Sequence, residues 1–270
     1  VSAAEPTTTA AAEPPTTAAA EPPTTEGHLL GGRVRYAQPA SGFRSGIEPV
    51  LLAASVPARP RERVLEAGTG AGAALLCLAA RVPAIQAVGV EADAGLAELA
   101  AANARANGFA DVRIAGGRIE TVALDGPFDH ALANPPYHAP DGSSSPDARR
   151  EAAKRGSEAL IRGWVDRLGR SLRDRGSLTL ILPAGMAPAC LAAMTDCHTP
   201  CTTIFPLWPK SGRPARLVLL RGIRRGRTPM RLMPGLVLHR PDGTFTDAAQ
   251  AILRDGRALA IDRDGEPQRD

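Results

Sequence analysis

The sequence predicts an α/β fold in which a parallel sheet is covered by helices on both faces. Short apolar runs alternate with longer Ala- and Leu-rich stretches of helical period, and glycine, proline and polar residues gather where the apolar runs stop. Arg63–Ala67 reads as a strand, followed by the loop Gly68–Gly72 and a helix to about Val82. Gln86–Val90 is a second strand and ends at Glu91. Asp93 caps a long Ala-rich helix through about Asn107, which Gly108 stops. Val112–Ile114 is a third strand and Phe128–Ala133 a fourth. A further helix is expected from about Ser157 to Arg173, stopped near Gly176, ahead of the strand Ser177–Leu182.

Ligands of such sheets bind outside the carboxyl ends of the strands. Gly68–Gly72, Glu91 and Asn134-Pro135-Pro136-Tyr137 all fall there, so three candidate features converge on one edge. The glycine loop by itself fits two nucleotides. Gly68-x-Gly70-x-x-Ala73 satisfies the dinucleotide fingerprint, while the further glycine at Gly72 gives the Gly-x-Gly-x-Gly form associated with S-adenosylmethionine. Glu91 suits either, since a carboxylate can accept both hydroxyls of an adenosine ribose. The proline pair permits neither helix nor ladder pairing, so the chain leaves the sheet stiffly extended. Such a turn holds one amide side chain, one exposed carbonyl and one aromatic ring in fixed relation. A planar group bearing an NH2 fits that set: the amide oxygen and the carbonyl accept its two hydrogens, and the ring stacks on its face. Hydride transfer has no use for an amine clamp, whereas methyl transfer to the amine does.

In these residues the chain resembles the class I S-adenosylmethionine-dependent methyltransferases that modify planar amino groups. The resemblance extends to Leu30-Gly31-Gly32-Arg33, to Gln38-Pro39 with Gly42-Phe43-Arg44, and to Pro49-Val50-Leu51-Leu52-Ala53-Ala54. It continues in Pro206-Leu207-Trp208-Pro209-Lys210 with Gly212, Ala215 and Arg216, and in Gly235-Leu236-Val237-Leu238-His239. These dispersed motifs are similar to the valine-tRNA adenine-37 N6-methyltransferase family, from about Leu29 to Ile261. The resemblance implies a Rossmann-like, seven-stranded, mostly parallel sheet with an antiparallel carboxyl-terminal hairpin. It implies S-adenosyl-L-methionine as cofactor, held by Glu66, Gly68, Thr69, Gly70, Gly72, Glu91 and Asn134. It assigns catalysis to Asn134, Pro135, Pro136 and Tyr137, with adenine in RNA, specifically tRNA, as substrate. Glu66 stands where many relatives have Asp. Gly117, after the third strand, stands where relatives often carry an acid that meets the cofactor's adenine amine, which leaves Arg118 and Ile119 to hold that ring.

Composition sets the remaining bounds. Residues 1–27 contain Ala10–Thr17 repeated letter for letter as Ala18–Thr25, a polar Ala/Glu/Pro/Thr stretch that reads as a disordered tail. Residues 28–270 then form one domain: an amino-terminal extension at 28–60, a cofactor and catalytic core at 61–183 and a substrate-side portion at 184–270. No secretory signal or transmembrane run is evident, and the four cysteines suit a cytoplasmic protein with buried thiols and no metal. Net charge is +4, and setting aside Glu5, Glu13, Glu21 and Glu26 leaves +8 on residues 27–270. From Lys210 to Arg231 the chain has eight bases (Lys210, Arg213, Arg216, Arg221, Arg224, Arg225, Arg227, Arg231) and no acid. Lys210, Arg213 and Arg216, with Arg149 and Arg150 after the proline turn, are the candidate RNA contacts. Trp164 reads as core. A glutamine-amide methyltransferase of the release-factor type shares the amine clamp. A non-catalytic RNA-binding module and a nicotinamide oxidoreductase are the alternatives from other classes.

Overall fold

The computed structural model describes residues 23–41, 45–136 and 146–262, without the side chains of 146–157. An antiparallel pair opens it, β1 (Thr24–Leu29) with β2 (Val34–Pro39), followed by helix α1 (Glu48–Ser55). The alternating part runs β3 (Arg63–Ala67), α2 (Ala73–Arg81), β4 (Gln86–Glu91), α3 (Ala94–Ala106), β5 (Val112–Gly116) and β6 (Phe128–Ala133). Then come α4 (Pro146–Ser171), β7 (Leu172–Pro183), α5 (Ala187–Asp196), β8 (Cys201–Lys210) and β9 (Leu217–Ile223). Short strands β10 (Arg231–Leu232) and β11 (Leu236–His239) and helix α6 (Asp247–Leu253) close the chain.

The central sheet has the order β5-β4-β3-β6-β7-β9-β8, with β10 and β11 both lying along the free side of β8. All pairings are parallel except those of β9, which runs antiparallel to β7 and to β8. The seven expected strands and their antiparallel hairpin are therefore present. The count rises to nine because two short runs beyond Arg227 use the hydrogen-bonding groups that β8 would otherwise expose. Chain order reverses direction between β3 and β6, which makes their carboxyl ends the switch point where a ligand crevice opens.

Both faces are buried, as the near-continuous apolar strands require. Val64, Leu132, Ile181 and Leu219 join α1, α2 and α6 in one core layer. Their strand neighbours Leu65, Ala131, Leu180 and Leu220 join α4 and α5 in the other. This is the period-two alternation of a strand applied to two apolar layers.

Three boundaries differ from the sequence reading. Strand β1 begins at Thr24, inside the stretch read as tail, because its backbone pairs with β2 up to Pro39. Helix α4 starts at Pro146, a residue preformed for a first helical turn, and runs through Gly156. Strand β7 starts at Leu172 rather than Ser177. Gly176 does not stop a helix; it sits at the irregular register beside β6, where a Cβ would lie 2.9 Å from the Asp129 carbonyl oxygen.

The β1–β2 pair belongs to no larger sheet and is fastened to α3 by two asparagines one helical turn apart. Asn107 Oδ1 accepts from Arg35 N–H (2.8 Å) and its Nδ2 donates to the Arg35 carbonyl (2.7 Å). Asn103 repeats the pattern on Ala37 (2.9 and 2.8 Å) and also donates to the Ala71 carbonyl in the glycine loop at 2.9 Å. The amides thus imitate a neighbouring strand and tie the hairpin to the loop.

Candidate active site

A cleft of about 1120 Å³ opens at the carboxyl edge of the sheet. Its floor is the glycine loop between β3 and α2. Gly68 and Thr69 N–H groups both donate to the Val90 carbonyl (2.8 and 3.1 Å), which folds the loop onto the end of β4. Gly68, Gly70 and Gly72 all take left-handed backbone angles, at φ of 64°, 56° and 93°, which side chains other than glycine's rarely allow. A Cβ at Gly68 would also lie 2.5 Å from the Trp164 ring.

Glu91, the last residue of β4, is held in place by its own acceptors. Oε2 takes the Gly70 N–H at 2.8 Å and Oε1 the Asp93 N–H at 3.0 Å. A carboxylate has about four lone-pair sites, so roughly two remain for hydroxyl donors. Asp93 Oδ1 accepts the Leu96 N–H at 2.9 Å and so caps α3, as its position predicts.

Glu66 lies one layer deeper, almost wholly buried, with the Thr69 hydroxyl donating to Oε2 at 2.6 Å. Burial pushes its carboxyl from 4.5 up to about 8, against the lowering effect of the Thr69 hydroxyl and with help from the nearby Glu91 charge. It is therefore largely protonated at neutral pH.

Asn134 follows β6 directly and borders the cleft with Pro135 and Pro136. Its Oδ1 is buried and has no hydrogen-bond partner among the described residues. An unpaired buried acceptor costs about 1–3 kcal/mol, and native structures leave few of them. A ligand N–H reaching this atom would remove the penalty.

Of the predicted site residues, Glu66, Gly68, Thr69, Gly70, Glu91, Asn134, Pro135 and Pro136 all line this cleft. Gly72 does not. It caps α2, and a Cβ there would meet Ala100 of α3 at 3.4 Å, so its role is to let the two helices approach. Tyr137 lies outside the described residues. Arg149 and Arg150 fall on the first turns of α4, where the side chains lie outside them too. The sequence reading missed Trp164, which is half-buried in the cleft against Gly68 as well as packed on the core. It also missed the wall made by Tyr36, Gln38 and Ser45, in which Tyr36 Oη and Ser45 Oγ are 2.8 Å apart. Trp164 lies one helical turn from Leu160, as a core residue of the same helix would, so spacing gave no signal for its place in the cleft.

The basic stretch divides in two. Lys210, Arg213 and Arg216 sit at the end of β8 and in the turn to β9, on the same sheet edge as Asn134. Arg213 and Arg216 are exposed, while Lys210 Nζ donates to the Pro241 carbonyl at 2.9 Å. Arg221 is no surface base. It is buried in β9, bonded to the Ser55 carbonyl and paired with Asp262 at 3.2 Å, and burial lowers its guanidinium to about 10. Arg224 and Arg225 lie at the opposite edge, on the Cys197 carbonyl and on Asp174 (3.1 Å). Arg221 and Arg225 thus find acids elsewhere in the fold. All four cysteines are free and buried, and no metal-ligand cluster occurs among the described residues.

The methyltransferase small domain family matches residues 48–163. The tRNA1(Val) (adenine(37)-N6)-methyltransferase of Aeromonas hydrophila is 33% identical over 210 residues, covering 76% of this chain and 86% of the relative. The enzyme of the same name from Dickeya chrysanthemi is 30% identical, covering 81% and 89%. Among solved structures, a predicted O-methyltransferase from Agrobacterium tumefaciens superposes with a TM-score of 0.65 at 21% identity, over 80% of this chain and 100% of that one. That likeness supports the fold alone. The sequence relatives reach further: this chain belongs to the family of the tRNA1(Val) (adenine(37)-N6)-methyltransferases.

Proposed function

We propose that this S-adenosylmethionine-dependent methyltransferase acts on the exocyclic N6 amine of an adenine in tRNA, with adenine 37 of a valine tRNA as the position suggested by its relatives. The observation that carries the reading is the buried Asn134 Oδ1, which has no donor among the described residues, at the switch point of the sheet. The residues present also fit the cofactor. The glycine loop lets a ligand approach the backbone, Glu91 has spare lone pairs for a ribose, and the cleft joins both to Asn134.

S-adenosylmethionine, when bound, supplies an electrophilic methyl group on a sulfonium centre. Adenine's exocyclic nitrogen is a weak nucleophile because its lone pair is delocalised into the ring. Hydrogen bonds from its NH2 to Asn134 Oδ1 and the Pro135 carbonyl localise that pair and fix its direction, and Tyr137 stacks on the base. Transfer would exchange the methyl's bond to sulfur, whose electron pair leaves on a neutral thioether, for a bond to nitrogen. The amine proton would then pass to water, so no strong base is required. Orientation and a preorganised, dry site supply most of the rate. An unstacked loop nucleotide reaches such a pocket most readily. Lys210, Arg213 and Arg216 lie on the edge that would face the RNA backbone, with β9 about 10 Å from β6 at two strand spacings.

Incubation with tritiated S-adenosylmethionine and separately with bulk tRNA, rRNA and a release factor tests the substrate class. Label is expected in tRNA. Label in the release factor instead would replace the reading with glutamine-amide methylation, and cofactor binding without label in any substrate would favour a non-catalytic module.

A further inference from the structure

Past Glu91 the cleft continues to the end of β5, where Gly117 contributes no side chain and Arg118, Ile119 and Glu120 form the border. Gly117 N–H donates to the Glu91 carbonyl at 2.8 Å, so this segment starts beside the carboxylate assigned to the ribose. Helix α4 fixes it from behind. Arg167 Nε donates to the Ile119 carbonyl (3.2 Å) and a second guanidinium nitrogen to the Val122 carbonyl (2.7 Å). Glu120 lies over Gly163, its Cγ 3.8 Å from where a Cβ would stand. Beside Gly163, Trp164 enters the same cleft with its ring edge on Gly68. The Glu120 carboxylate is partly exposed and, among the described residues, meets Arg118 at 3.3 Å, which leaves it lone pairs for another donor.

The four strand ends stand in the order Asn134, Gly68, Glu91, Gly117, each about 4.8 Å from the next. With the methyl group at Asn134 and the ribose at Glu91, the base of the nucleoside falls at the end of β5. Resting on the cofactor reading above, we propose that Trp164 and Ile119 form the apolar wall that receives the purine of S-adenosylmethionine, and that Glu120 accepts from its amine in place of an acid at Gly117. An aromatic ring offers a purine a large apolar contact. The carboxylate offers the amine a charge-assisted acceptor. Arg167 is a positioning residue, holding the segment that carries Ile119 and Glu120.

The test uses S-adenosylhomocysteine and S-inosylhomocysteine, whose base has an oxo group where adenine has the amine. Binding is followed by calorimetry and by intrinsic fluorescence, for which the chain has only Trp164 and Trp208. S-adenosylhomocysteine is expected to quench the wild-type protein, to leave Trp164→Phe nearly unquenched, and to bind Trp164→Ala about tenfold more weakly. The wild type should prefer the adenosyl over the inosyl compound by about tenfold, and Glu120→Ala should reduce that preference to about twofold or less. Equal quenching in Trp164→Phe, or an undiminished preference in Glu120→Ala, would overturn the proposal while leaving the cofactor reading intact. Failure of the wild type to bind S-adenosylhomocysteine would overturn both.

Discussion

Asn134 and Glu66 are both cleft residues with an oxygen taken out of water, with opposite consequences. Asn134 is left with an acceptor that nothing in the described protein satisfies. Replacing it by Ala removes that atom without disturbing the glycine loop, so cofactor affinity should change less than about twofold while kcat falls by about 10²–10³, the usual effect of losing one preorganised partner of the reacting group. Glu66 answers burial by keeping its proton. Its value of about 8 in the folded chain, against an ordinary 4.5, means that the unfolded chain ionises first as pH rises. The folded state's advantage is complete below about pH 4.5 and is lost progressively towards pH 8. Glu66→Gln keeps an acceptor for the Thr69 hydroxyl and cannot ionise. Its stability relative to wild type should therefore rise by on the order of 3 kcal/mol between pH 5 and pH 8. A difference in melting temperature that stays constant over that range would show that Glu66 does not titrate as described.

At the scale of elements, the amino-terminal hairpin has no sheet to join and depends on α3. Asn103→Ala would leave the Ala37 N–H and the Ala37 and Ala71 carbonyls without a partner they now have. The expected loss is about 2–4 kcal/mol in urea unfolding, with faster tryptic cleavage at Arg33 and Arg35. Unchanged cleavage and stability would remove the latch from the account. This contact was not legible in the sequence, because an Asn in an Ala-rich helix carries no mark of its distant backbone partners. The strands β3, β4 and β6, by contrast, were read within a residue, since their apolar runs stop at a glycine loop, at a charged residue and at an Asn-Pro-Pro turn. The start of α4 was read late: the helix runs through Gly156, where a glycine costs only about 1 kcal/mol relative to alanine. Strand β7 was read late for the complementary reason: Gly176 looks like a stop, but it marks a close backbone approach in the sheet.

Across the whole molecule, topology sorts charges that lie together in the chain. The turn between β8 and β9 carries Arg213 and Arg216 to the sheet edge that bears Asn134, whereas the far end of β9 carries Arg224 and Arg225 to the opposite edge. Replacing Arg213 and Arg216 together by Ala should weaken tRNA binding by about tenfold and reduce the slope of log affinity against log salt by roughly 1–2. The corresponding change at Arg224 and Arg225 should leave the slope unaltered, and equal effects of both pairs would show that the RNA does not distinguish the two edges. The glycine loop, Glu91 and Asn134 could be assembled from the sequence because strand carboxyl ends are local signals that the sheet brings together. Arg221 could not be assigned, because only the folded chain reveals its burial beside Asp262. Trp164 was misplaced because helical spacing does not distinguish a core face from one shared with a cleft.

Nucleoside analysis of tRNA after reaction with the wild-type protein and with Asn134→Ala, each shown to bind S-adenosylhomocysteine, addresses the amine clamp most directly. N6-methyladenosine is expected with the wild type, and almost none with the variant. Methylation at a ring nitrogen or a ribose hydroxyl, or strong N6 methylation by Asn134→Ala, would contradict the assignment of Asn134 as the acceptor that orients the adenine amine.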